Sequence, residues 1–147
     1  MKEPISFVKL MKIAPDGEFA VEELTTGTIA QLKQLTRLCG CERAFDLGQC
    51  GCKPDLHARK FLMFMDMRAP SRGDPVNPFV NWMIREDTLA AIKEKHGGLR
   101  GNVVLWIQGT CKDKKHMQAL DSEINRFIVD MKSRKLIIDL LQELPRV

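Results

Sequence analysis

The stretch NVVLWIQGTCKDKKHMQALDSEINRFIVDM, Asn102–Met131, changes its periodicity half-way along, and that change decides the fold class. Its opening, NVVLWIQGT, is a β-branched and aromatic run that predicts a strand. Beyond it Met117, Leu120, Ile124, Phe127 and Met131 step by three and four residues, and Ile138 and Leu141 resume the stripe. This spacing predicts a long amphipathic helix from about Asp113 to Leu144, with Ser133 as a point where it could break. The stripe fits packing across a sheet face. A two-helix seam between copies is the alternative, and Arg134, at the seam position between Met131 and Ile138, weighs against it.

The rest of the chain adds more strands than helices. ISFVKLMKIAPDGEFAVEEL (Ile5–Leu24) predicts a hairpin, because proline presets φ and glycine accepts positive φ at Pro15-Asp16-Gly17. Val8 and Leu10 put apolar groups on the second face of its first arm, which leaves the register open. In TTGTIAQLKQLTRLCG (Thr25–Gly40), Ile29, Leu32, Leu35 and Leu38 have helical spacing, Thr25 or Thr26 is available as N-cap, and Gly40 follows the end. KFLMFMDMR (Lys60–Arg68) predicts an interior strand. Asp66 within it is a buried acid that needs a partner, with Arg68 and Arg85 as candidates.

APSRGDPVNP (Ala69–Pro78) is proline-rich loop. It contains Arg72-Gly73-Asp74, an integrin-attachment tripeptide that is short enough to arise by chance. FVNWMIREDTLAAIKEKHGG (Phe79–Gly98) allows a single helix capped by Asn77-Pro78. The aromatic and β-branched content of Phe79–Ile84 favours a short strand leading into a helix that stops at Gly97-Gly98. The expected order is β-β-α, a cysteine-rich loop, β, β-α, β-α. The expected architecture is therefore one α+β domain over residues 1–147: a mostly antiparallel sheet of about five strands packed by three helices, with a cysteine-rich loop at 39–57 and a long C-terminal helix.

With 147 residues, 44% apolar and 29% charged, the chain can bury a core without help from metal or disulfide. No apolar run approaches the roughly twenty residues that span a bilayer. Lys9 and Lys12 interrupt the N-terminal apolar stretch, which argues against a secretion signal. A cytoplasmic protein with no membrane partner is expected. In that reducing setting clustered cysteines point to metal or redox chemistry.

Four of the five cysteines form such a cluster: Cys39, Cys41, Cys50 and Cys52, two Cys-Gly-Cys bites joined by ERAFDLGQ. Glycine at the centre of each bite lets the backbone curl so that both sulfurs can face one ion, and four thiolates close a tetrahedral zinc site. A structural zinc contributes on the order of 10 kcal/mol and would order a segment poor in apolar residues. Disulfides between the bites, or a redox switch, are the rival; an iron–sulfur cluster is another, and His57 could replace one thiolate. A quartet closed by zinc is structural and admits no substrate. Cys111 and His116 offer only two further ligands.

The net charge of +4 is concentrated. Between Lys93 and His116, Lys93, Lys95, Arg100, Lys112, Lys114 and Lys115 face only Glu94 and Asp113, so this segment alone carries the whole excess. Such a run reads as a solvated surface loop or, more sharply, as a phosphate-facing patch, with Trp82 and Trp106 as stacking groups or as core residues. Asp66, Asp74, Glu86 and Asp87 are the carboxylates a magnesium-dependent nuclease would use, although Glu86-Asp87 equally suits the first turn of a helix. No phosphate loop, nucleophile elbow or His-Glu-x-x-His helix is present. These observations favour a non-enzymatic, zinc-stabilised binding protein that contacts nucleic acid through a basic edge. The alternatives are a protein-interaction or regulatory module, dimeric through the C-terminal helix, and after it a metal-dependent nuclease.

Overall fold

In the computed structural model, residues 3–40, 44–49, 58–66, 68–96 and 98–143 are described. The hairpin forms as its turn chemistry requires. β1 (Ile5–Ile13) pairs antiparallel with β2 (Phe19–Glu23) across a turn in which the Asp16 carboxylate accepts the Glu18 N–H. β1 then pairs along its whole length with β5 (Val103–Cys111), from Ile5↔Cys111 to Ile13↔Val103. β4 (Ala58–Asp66) lies antiparallel on the other side of β5, and β3 (Ala44–Gln49) on the outer side of β4, giving the order β2-β1-β5-β4-β3.

Both faces of this sheet are covered, which explains the apolar residues on both faces of β1. Phe7, Met11 and Ile13 join Met63, Met65, Val103, Leu105 and Ile107 in one core, while Leu10, Phe64 and Val104 point into a second. α1 (Thr28–Cys39) covers the second face. It buries Leu35 and Leu38 but leaves Ile29 and Leu32 exposed, so only half of its predicted stripe is core. Its N-cap is Gly27 and not a threonine; Thr25 instead donates its N–H and hydroxyl to the buried Gln34 side chain. Gly40 ends the helix in the left-handed region, its N–H returning to the Arg37 carbonyl.

The other face is covered by α3 (Pro78–Met83), α4 (Glu86–His96) and α5 (Lys114–Glu143), with a one-turn α2 (Ala69–Arg72) leading in. Phe79–Ile84 is thus a helix and its C-cap, not the expected strand. The cap decides against the composition: Asn77 is fully buried, its Oδ1 accepts the Val80 N–H, Pro78 occupies the first turn, and Phe79, Val80, Met83 and Ile84 face the core at helical spacing. Asn77 also donates from Nδ2 to the carbonyls of Ile13 (2.8 Å) and Gly101 (3.0 Å), tying the end of β1 to the approach to β5.

Of the expected cysteine-rich loop over 39–57, residues 41–43 and 50–57 lie outside the described residues. Cys39 is the last residue of α1, and Ala44–Gln49 is a strand against β4, with Phe45 opposite Met65 and Asp46 opposite Phe64. The long C-terminal helix matches its expected span and runs unbroken through Ser133, whose hydroxyl returns to the Val129 carbonyl.

Candidate functional site

Where the expected site residues fall depends on the strands between them. Of the cysteine quartet, Cys41, Cys50 and Cys52 lie outside the described residues. Cys39 is buried, directly before the left-handed turn at Gly40. β3 stands between the two bites, and six extended residues span about 17 Å. A common ion therefore requires the segments flanking β3 to turn back toward each other. Among the described residues no group of three or more His, Cys, Asp or Glu is arranged to hold a metal. Cys111 is buried with its sulfur 3.9 Å from that of Met117, and burial pushes its thiol pKa up. His116 accepts the Lys112 N–H at Nδ1.

The four carboxylates separate into two pairs. Asp66 and Asp74 meet on one guanidinium: Arg72 lies 2.6 Å from Asp66 Oδ2 and 2.7 Å from Asp74 Oδ2. Arg68 contributes its backbone N–H to Asp66 (3.0 Å), so the partner of the buried acid is Arg72, supported by the Arg68 main chain. The hydrogen bond from Arg72 holds the Asp74 carboxyl below its ordinary pKa, and the two acids raise that of Arg72. This triad turns the Arg-Gly-Asp tripeptide into an internal clamp. Gly101 passes so close that a Cβ there would meet Asp74 Oδ2 at 3.3 Å. Glu86 and Asp87 occupy the first turn of α4, where the helix dipole favours acids.

The clamp borders an open pocket of about 490 Å³ at one end of the sheet, lined also by Ala14–Asp16, Cys39-Gly40, Pro75 and Asn102. Arg72 and Asp74 line it while bonded to each other.

The six basic residues do not form one edge. Lys93 and Lys95 are on α4, and Arg100 precedes β5, where it donates to the Asp74 carbonyl. Lys112, Lys114 and Lys115 follow the far end of β5. A nine-residue strand separates the groups by about 27 Å. Lys93 and Arg100 do share one cavity, about 360 Å³, with Val76, Leu89, Ala90 and Leu99. Among the described residues neither is in an ion pair. Trp106 bonds through its indole N–H to Gln108 and packs obliquely on Phe64; Trp82 lies edge-on to Phe79. Both are partly buried parts of the two cores.

The C-terminal helix supplies a feature that the periodicity alone does not reveal. α5 starts where β5 ends and runs back along the sheet, burying Leu120, Ile124 and Met131. Beneath it the buried Lys9 ammonium pairs with Asp121 at 2.9 Å. By Lys135 the helix has reached the β1–β2 turn, where the lysine stem lies against Gly17. The two remaining turns, about 12 Å, extend past that turn. On them Leu136, Ile137, Leu140 and Leu141 are each more than half exposed, and Val129, equally exposed, stands about two turns before Leu136. Val129, Ser133 and Leu140 stand nine residues after Leu120, Ile124 and Met131, two and a half turns on, and so occupy the opposite side of the helix.

Comparison with protein-family models, with curated proteins and with solved structures gives no match.

Proposed function

We propose that this protein is a non-enzymatic protein-interaction module whose binding element is the projecting end of α5. One observation carries the reading: five large aliphatic side chains are exposed along the last four turns of α5, three of them on the side opposite the core. Soluble monomers rarely leave a contiguous apolar patch of more than a few hundred Å² in water. Burying a leucine or isoleucine contributes roughly 1.5–3 kcal/mol, so five of them against a partner helix can offset association costs of about 4–15 kcal/mol. A photo-crosslinking amino acid at position 140 should give a protein adduct that the same group at Gln118, exposed on the sheet-packed part of α5, does not. The adduct should vanish when Leu136→Glu is added. No adduct above the Gln118 control would refute the module.

A second reading keeps nucleic acid as the partner and zinc as the staple of the cysteine segment. It is favoured by the convergence of Lys93 and Arg100 on one cavity wall. Oligonucleotide binding should then weaken with salt, and Lys93→Gln or Arg100→Gln should each lower the slope by about one. An unchanged slope counts against the phosphate contact. One zinc per chain, with Cys39, Cys41, Cys50 and Cys52 protected from thiol reagents, is the matching metal result. A quartet that titrates at once argues for the redox alternative.

A further inference from the structure

We infer that the occupant of the α5 end is the α5 end of a second copy of this chain, the two helices running antiparallel; this rests on the interaction-module reading above and names its partner. Val129, Ser133, Leu136 and Leu140 follow one another at steps of four, three and four on the side of the helix opposite Leu120, Ile124 and Met131, and the exposed Ile137 and Leu141 flank that row, Leu141 leaving the core stripe it was expected to resume. A second helix can therefore lie along the row without displacing any core contact.

The charges flanking the row select the copy and its direction. Lys132 and Glu143 are both exposed and stand eleven residues apart, close to three full turns, so they share one flank of the row. In an antiparallel pair, Lys132 of each copy faces Glu143 of the other, and the twofold axis makes both bridges at once. A parallel pair would instead place the Lys132–Glu143 flanks of the two copies on opposite sides of the seam and form neither bridge. On the opposite flank Asp130 and Arg134 pair with each other at 3.4 Å. The row offers on the order of 500 Å² of apolar surface per copy, and pairing it removes about 1,000 Å², the size at which specific interfaces begin.

Sedimentation velocity of the full chain, from micromolar to sub-millimolar concentration, tests this. The wild type should dimerise reversibly. Leu136→Glu with Leu140→Glu should raise the dissociation constant by at least about 100-fold, with an unchanged circular dichroism spectrum because both residues are exposed. Lys132→Glu and Glu143→Lys should each weaken the dimer about fivefold, and combining them should restore it. A wild type that stays monomeric, or a dimer that survives the double glutamate variant, overturns self-pairing. Failure of the charge swap to restore affinity overturns the antiparallel arrangement. Co-sedimentation of a monomeric wild type with phosphatidylserine vesicles would overturn it in favour of a lipid surface. A monomer that still gives the adduct at position 140 loses the self-pairing but keeps the interaction module, whereas a monomer without the adduct loses both.

Discussion

Leu120 and Leu140 stand on the same helix, are the same residue and belong to equally apolar stretches, yet the first is 0% and the second 54% exposed. The difference comes from what lies beneath each. Leu120 belongs to the core that holds Phe7, Ile107 and their neighbours on the sheet face, whereas Leu140 is past the β1–β2 turn and on the far side of the helix. A helical stripe records that a face is apolar; the length of the neighbouring strands decides whether this chain or another molecule covers it. Here the strands run out about two turns before the helix does.

The sharpest way to break that contrast is to truncate one residue at each end. Leu120→Ala should cost about 2–5 kcal/mol in urea unfolding, because a fully buried methylene cluster leaves a cavity among rigid neighbours. Leu140→Ala, measured at a concentration where the chain is monomeric, should stay within about 0.5 kcal/mol. Equal losses at the two sites would mean that the projecting end is packed in solution. Ile124→Lys tests the same point differently: Ile124 is buried within the monomer, so the substitution should unfold the chain and not merely dissociate it.

Next in size is Asn77, which anchors the sheet-covered region at the end toward which α5 runs. Asn77→Ala removes a helix cap and strips hydrogen-bond donors from two carbonyls, those of Ile13 and Gly101. A loss of about 2–3 kcal/mol is expected, since unsatisfied buried groups cost more than the bonds themselves contribute. Amide exchange should then rise in α3 and around Ile13 while residues 136–143 exchange as before. A change confined to residues 136–143 would contradict the division of α5 into a packed part and a projecting part.

Much of this was legible beforehand, and the reasons differ by element. β5, the hairpin and the span of α5 follow from periodicities that one segment carries within itself. α3 did not follow, because Phe79–Ile84 has the composition of a strand and only the buried cap at Asn77 reverses it. The Arg72 clamp on Asp66 and Asp74 is not legible in the sequence, because its proximity to Asp66 is made by the α2 turn and not by sequence spacing. The basic run looked like one edge because its residues are close in the chain, but β5 lies in the middle of it and carries its two halves to opposite ends. The cysteine bites show the converse effect. ERAFDLGQ looked like an arch that could fold back, and the pairing of its residues 44–49 with β4 makes an extended strand of them.

A smaller effect is expected at Gly40, where α1 hands over to the first cysteine bite. Its φ of 68° is one that side chains with a Cβ adopt reluctantly, so Gly40→Ala should cost about 1 kcal/mol. Because Cys39 is buried immediately before it, the variant also separates the second core from the first. Thermal unfolding should stay a single transition at a lower midpoint if the two faces of the sheet unfold together, whereas a split transition would show that α1 leaves independently.

The smallest effect is the pH dependence of the sheet-covered part, and it separates that part from the helix end by chemistry. The Glu22 carboxyl is held below its ordinary pKa by hydrogen bonds from Arg37 and Gln34, and Asp74 is held below its own by Arg72. For such groups the folded pKa lies below the unfolded one, so their contribution is fully present above the unfolded value and is lost as pH falls through the folded value. The unfolding midpoint should therefore be insensitive to these two groups near neutrality and fall once the pH drops below about 4.5. Glu22→Gln and Asp74→Asn should each flatten that acid limb while lowering the neutral midpoint slightly, because both pairs are solvent-accessible and screened. Acid should thus release amides of α1 and of the Arg72–Gly101 corner before it alters exchange in residues 136–143, which have no sheet beneath them to lose. If acidification instead raised exchange at the helix end first, the projecting turns would have to be held by a charge contact with the body, and the division between covered and uncovered parts of α5 would fail.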